Sequence, residues 1–141
     1  MENRNAIGWW KKVVLENYAN FEGRARRSEY WYFQLVTFGI ILLGYVLVFI
    51  GAATEIGLIS GLGGAIAGIT GLALLVPSIA VAVRRMHDLG KSGWFICIYF
   101  IPFVGPFIML YFLVQDSQPG ANEYGPNPKT GGDFDIDKIG G

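Results

Sequence analysis

Cysteine is almost missing: the chain of 141 residues has one, so no internal disulfide can form and the redox compartment leaves no mark. Histidine is as scarce, with a single copy. One His and one Cys, His87 and Cys97, cannot build a zinc site, and no metal is expected. Charge is thin: 16% of residues are Asp, Glu, Lys or Arg, against about 25% in a typical soluble domain. The 11 basic and 11 acidic residues cancel, so there is no overall basic footprint and no nucleic-acid partner is expected. No G-x-S-x-G element occurs. Gly90-Lys91-Ser92 copies the end of a phosphate-binding loop, but the earlier glycine that loop needs is Arg85. No cofactor motif is present and none is expected.

Apolar residues fill the space: 52% of the chain is hydrophobic and 15% aromatic, with a mean hydropathy of +0.41. Wholesale disorder, a collagen repeat and a disulfide scaffold are excluded. Three uncharged stretches stand out: 24 residues from Tyr30 to Ala53, 28 from Ile56 to Val83, and 21 from Trp94 to Val114. A bilayer core about 30 Å thick needs roughly 20 apolar residues in a helix. None shows the polar face of a soluble core helix. The second is too long for one upright span and begins glycine-rich. It is therefore read as a loop over residues 54–62 followed by a span over 63–83, one long tilted helix being the alternative. The expected fold is all-α: a polytopic membrane protein with three transmembrane helices, at about 30–53, 63–83 and 94–114.

The first 29 residues carry ten charges and no cleavage-site pattern, so the first span is expected to be an uncleaved anchor. Arg24, Arg26 and Arg27 precede it, no Lys or Arg lies between spans one and two, Arg84, Arg85 and Lys91 follow span two, and the next basic residue is Lys129. That alternation predicts three spans with the N-terminus inside and the C-terminus outside. A tail found inside would instead make the span count even, with either the glycine-rich segment 54–83 crossing differently or the third run re-entering, and the tail could then complete a site with the arginines.

Residues 7–21 predict an amphipathic helix. Trp10, Val14, Tyr18 and Phe21 fall on one face, and Trp9 and Trp10 beside Lys11 and Lys12 suit the headgroup region. Packing of this helix on its own chain is the alternative. Trp9, Trp10, Trp31 and Trp94 are the candidate interfacial anchors. Gly57, Gly61, Gly64 and Gly68 are the candidate helix-packing positions, either within the chain or between copies. Pro77, Pro102 and Pro106 are expected to kink their helices. The polar tail, 115–141, reads as local turns to about 130, from Asn122-Glu-Tyr-Gly-Pro-Asn-Pro128, and as disorder beyond. Asp133, Asp135 and Asp137 lack the glycine and final glutamate of a calcium loop and read as a solvated acidic end.

Three blocks together carry a resemblance: Phe21-Glu-Gly-Arg-Ala-Arg-Arg-Ser-Glu-Tyr-Trp31, Val83-Arg-Arg-Met-His-Asp-Leu-Gly-Lys-Ser-Gly-Trp94 and Gly120-Ala-Asn-Glu-Tyr-Gly-Pro-Asn-Pro128. The chain resembles, from about Trp10 to Pro128, the small bacterial inner-membrane proteins of domain of unknown function 805. Met86 stands where that family more usually has Leu. The resemblance implies an integral membrane protein and no catalysis.

Arg24, Arg27, Glu29, Arg84, Arg85, His87, Asp88 and Lys91 are the candidate site residues, gathered at the inner interface. A structural reading explains all of them: cations at a helix C-terminus, Gly90 as a left-handed cap, Ser92 capping the next helix, and Asp88 paired with Arg24 or Arg27. A functional reading makes them a site for anionic lipid headgroups or a membrane partner, since arginine forks suit phosphate. The function favoured is a non-enzymatic scaffold or accessory protein binding membrane lipids, a membrane-protein partner or its own copies. An oligomeric small-solute channel or transporter, and a lipid-modifying enzyme using His87 and Asp88, are the alternatives. The lack of an ionisable residue at mid-membrane counts against a pump.

Overall fold

The computed structural model describes residues 4–129, and every element in it is helical. A short helix α1 (Ala6–Lys11) runs into a π-helical turn, Lys12–Glu16. An irregular stretch then leads to α2 (Arg27–Ala53). Three residues turn the chain into α3 (Gly57–Ala73), followed at once by α4 (Leu75–Asp88). A 3₁₀ helix, Gly93–Phe100, and α5 (Gly105–Leu113) complete the series. The all-α expectation holds.

The 27 residues of α2 reach about 40 Å at 1.5 Å per residue, enough to cross a bilayer. Its side chains from Leu35 to Ile50 stay largely exposed, as a lipid-facing helix requires. The second apolar run differs from its expectation. Helix begins at Gly57, so the loop is only Thr54–Ile56, with Glu55 at φ 58°. The stretch 57–62 is not loop because close packing on α2 outweighs weak glycine propensity. Nor is the run one long helix: α3 and α4 meet at a 44° bend and make one span only if the broken pair is counted together. Pro77 explains the break. Its missing N–H is the group that would bond the Ala73 carbonyl. The Tyr18 hydroxyl donates to that freed carbonyl instead, at 2.5 Å.

The third run forms no spanning helix among the described residues. The 3₁₀ segment of eight residues and α5 of nine each extend only about 15 Å, half a bilayer. They fold back on each other: the Phe95 and Phe112 rings meet edge-on at 6.2 Å, and the Lys91 ammonium lies 5.4 Å and 4.9 Å from the same two rings. Pro102 and Pro106 bracket the tip, where Phe103 takes φ 67°. Two prolines within five residues stop one helix and start the next rather than kinking a single one.

That return brings the tail back to the end of the molecule where Arg24 and Arg85 lie. The described part of the tail touches the arginine blocks directly, through contacts set out below. The amphipathic stretch also stops short, because helix ends at Glu16. Trp9 and Val13 are its buried residues, while Tyr18 and Phe21 are exposed. Trp10 donates to Thr37 of α2 at 3.1 Å, so this segment packs on its own chain.

The candidate packing glycines make no close contact within the chain. A side chain added at Gly57, Gly61, Gly64 or Gly68 would meet open space. The contact lies instead at Gly44 and Gly51 of α2 against Gly63 and Ser60 of α3, where a Cβ on Gly44 would come within 2.8 Å of the Gly63 carbonyl oxygen. The expectations for residues beyond 129, disorder and a solvated Asp133–Asp137 end, lie outside the described residues.

Candidate functional site

Five charged side chains are nearly removed from solvent at the arginine end: Arg24, Glu29, Arg84, Arg85 and Asp88. Charges this buried must be paired, and they are. Asp88, the last residue of α4, accepts from Arg24 Nε at 3.0 Å, from Arg85 Nη1 at 2.7 Å and from the Ser117 hydroxyl at 2.6 Å. Glu29, in the first turn of α2, accepts from Arg84 Nη1 at 2.5 Å and has Lys12 Nζ at 3.4 Å. An acidic residue suits that helix start.

Backbone carbonyls spread the surplus positive charge. Arg24 donates to Gln118 and Gly120 at 2.7 Å each, to the Asp88 carbonyl at 3.2 Å and to Gly125 at 3.3 Å. Arg85 donates to the carbonyls of Leu113 and Gln115. Arg84 Nε donates to Asn20, and the Ala25 amide returns a bond to the Arg84 carbonyl at 3.0 Å. The N-terminal segment, the end of α4 and the tail are thereby tied together.

Local chemistry delivers these groups. Gly90 at φ 77° lets Lys91 N and Gly90 N bond back to Met86 and His87, ending α4 in the expected left-handed cap. The Ser92 hydroxyl accepts from Trp94 N and caps the 3₁₀ helix. In the tail, Asn122 accepts from Tyr124 N at 2.8 Å and pairs with Gly125, a turn that aims carbonyls at Arg24. Asp116 stays at the surface, and hydrogen bonding from Lys129 holds its carboxyl below the usual range.

Of the residues singled out from the sequence, Arg24, Glu29, Arg84, Arg85 and Asp88 come together. Arg27 does not: it is half-exposed, donates to the Val114 carbonyl at 3.1 Å and reaches Asp116 only at 4.0 Å. Lys91 leans on Phe95 and Phe112 instead. His87 points away from the cluster, its Nδ1 3.0 Å from the Gly23 carbonyl and its ring stacked on Tyr124 at 3.9 Å. Asp88 and His87 therefore form no acid–base pair.

The tryptophans divide similarly. Trp94 is 82% exposed and Trp9 only 2%, with Arg4, Lys12 and Arg26 around the Trp9 ring. Trp9 is thus an internal cation–π platform. Trp31 donates to the Leu113 carbonyl at 2.9 Å and, like Trp10, is tied to the chain itself. Lys12, Asn20, Ser117, Gln118 and Asn122 were not singled out as site residues. The turn signals at 120–128 were the visible hint for the tail.

No group of three or more metal-ligating side chains occurs among the described residues. An open groove of about 810 Å³ runs between α2 and α5, lined chiefly by aromatic and aliphatic side chains such as Trp31, Phe38 and Phe107.

The chain matches the model of a family described as protein of unknown function (DUF805) over residues 18–126. It is 40% identical over 124 residues to the inner membrane protein YhaH of Escherichia coli K12, covering 85% of this chain and 96% of that protein. It is 37% identical over 123 residues to the inner membrane protein YhaI of the same organism, covering 86% and 97%. No solved structure matches. The matched span holds all of the buried cluster from Arg24 to the Asn122 turn, and on that evidence the chain belongs to the DUF805 family of bacterial inner-membrane proteins.

Proposed function

We propose that this protein is a non-enzymatic, multi-pass inner-membrane scaffold with both described ends of its chain on the cytoplasmic side. The observation that carries the reading is the state of the buried cluster. Arg24, Arg84 and Arg85 are bound to Asp88, Glu29 and main-chain carbonyls, all but out of water. Side chains engaged in this way hold segments together and leave no open nucleophile or base among them. They are also too enclosed to receive a lipid headgroup. The rim takes that role: Lys11 and Arg27 are exposed and Lys91 is half-buried, on the end where the cations gather. The Thr54–Ile56 turn between α2 and α3 carries only Glu55, which supports the cytoplasmic assignment of the opposite end.

The test is the retention of anionic phospholipid by the full chain purified in mild detergent. A variant with Lys11→Gln, Arg27→Gln and Lys91→Gln gives up the ring contacts of Lys91 and one bond of Arg27, so it should lose only a few degrees of thermal midpoint but most bound phosphatidylglycerol. Retention equal to the wild type would remove the rim from the headgroup role. An Arg84→Gln change should act the other way, lowering the thermal midpoint.

A further inference from the structure

We propose that the pocket beside His87 receives the primary ammonium of an ethanolamine-type phospholipid headgroup. This site lies outside the arginine cluster and rests on the membrane reading, not on the scaffold role. The pocket, of about 380 Å³, is bordered by Phe21, His87, Ser92, Gly93, Trp94 and Tyr124, with Val83 and Ile96 completing its wall.

His87 is 9% exposed, and two contacts fix its ring. A carbonyl can only accept, so Nδ1 carries the proton toward Gly23 in the neutral ring. That leaves the Nε2 lone pair as an acceptor, with no hydrogen-bond partner among the described residues. Face-to-face stacking on Tyr124, with 1° between the planes, prevents the ring from turning. Gly93 keeps the approach open. A Cβ there would lie 3.6 Å from Nε2, in the space a bound group would use. Ser92, whose hydroxyl caps the 3₁₀ helix, also lies on the wall.

The lining selects a cationic donor over an anion. No Lys or Arg borders the pocket. Arg24 and Arg85 turn toward Asp88 and the tail carbonyls, and the Lys91 ammonium is drawn to the Phe95 and Phe112 rings. Three aromatic side chains line the pocket, and aromatic faces attract ammonium groups. Glu123 lies by the Tyr124 hydroxyl, and Glu22, next to Phe21, is exposed. Trp94 at 82% and Phe21 at 41% exposure form the rim, residue types that settle at headgroup depth.

Because the chain has a single histidine, ¹⁵N-histidine labelling of the full chain in micelles reports on this site alone. Phosphatidylethanolamine should shift the Nε2 resonance saturably. Phosphatidylcholine with the same acyl chains keeps the positive charge but has no N–H to donate, and should not. Gly93→Ala should abolish the response. Since its Cβ would sit 2.8 Å from Val83 Cγ1, Trp94→Leu at the exposed rim is the second variant, with apparent affinity falling about two- to fivefold. Equal responses to the two lipids, or unchanged affinity in a folded Trp94→Leu, overturns the proposal. A response to soluble glycerophosphoethanolamine without one to the lipid overturns the membrane source. Phosphatidylglycerol retention by the rim cations is read separately, so either proposal can fail alone.

Discussion

Replacing Asp88 by Asn keeps the shape of the side chain and removes its charge from the centre of the buried cluster. Three hydrogen bonds end on that carboxylate, two of them from guanidinium groups at 3.0 and 2.7 Å. An amide oxygen can keep one of these and the bond from Ser117 Oγ. The amide nitrogen, however, presents donors to donors. Two arginines with side chains 0–1% exposed then face each other without a counter-charge. Removing one member of a buried ion pair costs about 3–5 kcal/mol, far more than the pair contributes over an apolar replacement. For a chain of this size that corresponds to roughly 10–15 °C in thermal midpoint. The assay is thermal unfolding of the purified chain in one detergent, with protease sensitivity of residues 115–129 followed in parallel. Asp116→Asn, which breaks a half-exposed pair with Lys129, is the control and should move the midpoint by less than about 3 °C. If Asp88→Asn falls within that same 3 °C, the cluster is hydrated and the argument from burial fails.

A reporter that works only in the cytoplasm, fused after Gly141, should be active, and one that works only outside should be silent; the reverse pattern would restore an odd span count. Gly44→Leu and Gly63→Leu should each disrupt the α2–α3 pair, whereas Gly64→Leu, facing open space, should leave the midpoint unchanged; equal effects would refute the assigned contact face. Asp116 has a folded pKa below its unfolded value of about 3.9, so its contribution is present above that value and lost as pH falls through the folded pKa. Tail protection attributable to Asp116, taken as wild type minus Asp116→Asn, should be constant from pH 7 to about 5 and disappear only below about 4. A loss near pH 6 would contradict the pairing with Lys129.

The membrane character was legible because the bilayer demands long uncharged runs, and the 30–53 run matches α2 closely. The arginine blocks were legible as one cluster, and the Asp88–Arg24 pair was among the expected partners. The 94–114 run holds no single long helix, because length and hydropathy do not register that Pro102 and Pro106 divide it into two half-length pieces. The glycine face used within the chain was hidden for a different reason. Gly57-x-x-x-Gly61 and Gly64-x-x-x-Gly68 are good packing patterns on one helix, but the partner decides which face is used. Gly44 and Gly51 sit seven apart on α2 and meet Gly63 and Ser60. The tail's turns were readable from Asn122 to Pro128. Their destination was not, because it follows from the hairpin ahead of them.

Arg24 finds its acceptors far along the chain, with Asp88 64 residues away and Gly125 101 residues away. At a synthesis rate of about 5–20 residues per second, its guanidinium waits roughly 5–20 s for the last of them to be made. During that interval the N-terminal segment, α2 and α3 can enter the membrane, but the cationic interior beneath them lacks several of its oxygen ligands. A chain that stops before residue 118 retains the cations and loses the carbonyls of Gln118, Gly120 and Gly125. Such a product differs from the longer chain by an open, charged seam between the N-terminal segment and the end of α4, the kind of lesion a protease can enter. Synthesis past Gly125 and closure of the interior become one event.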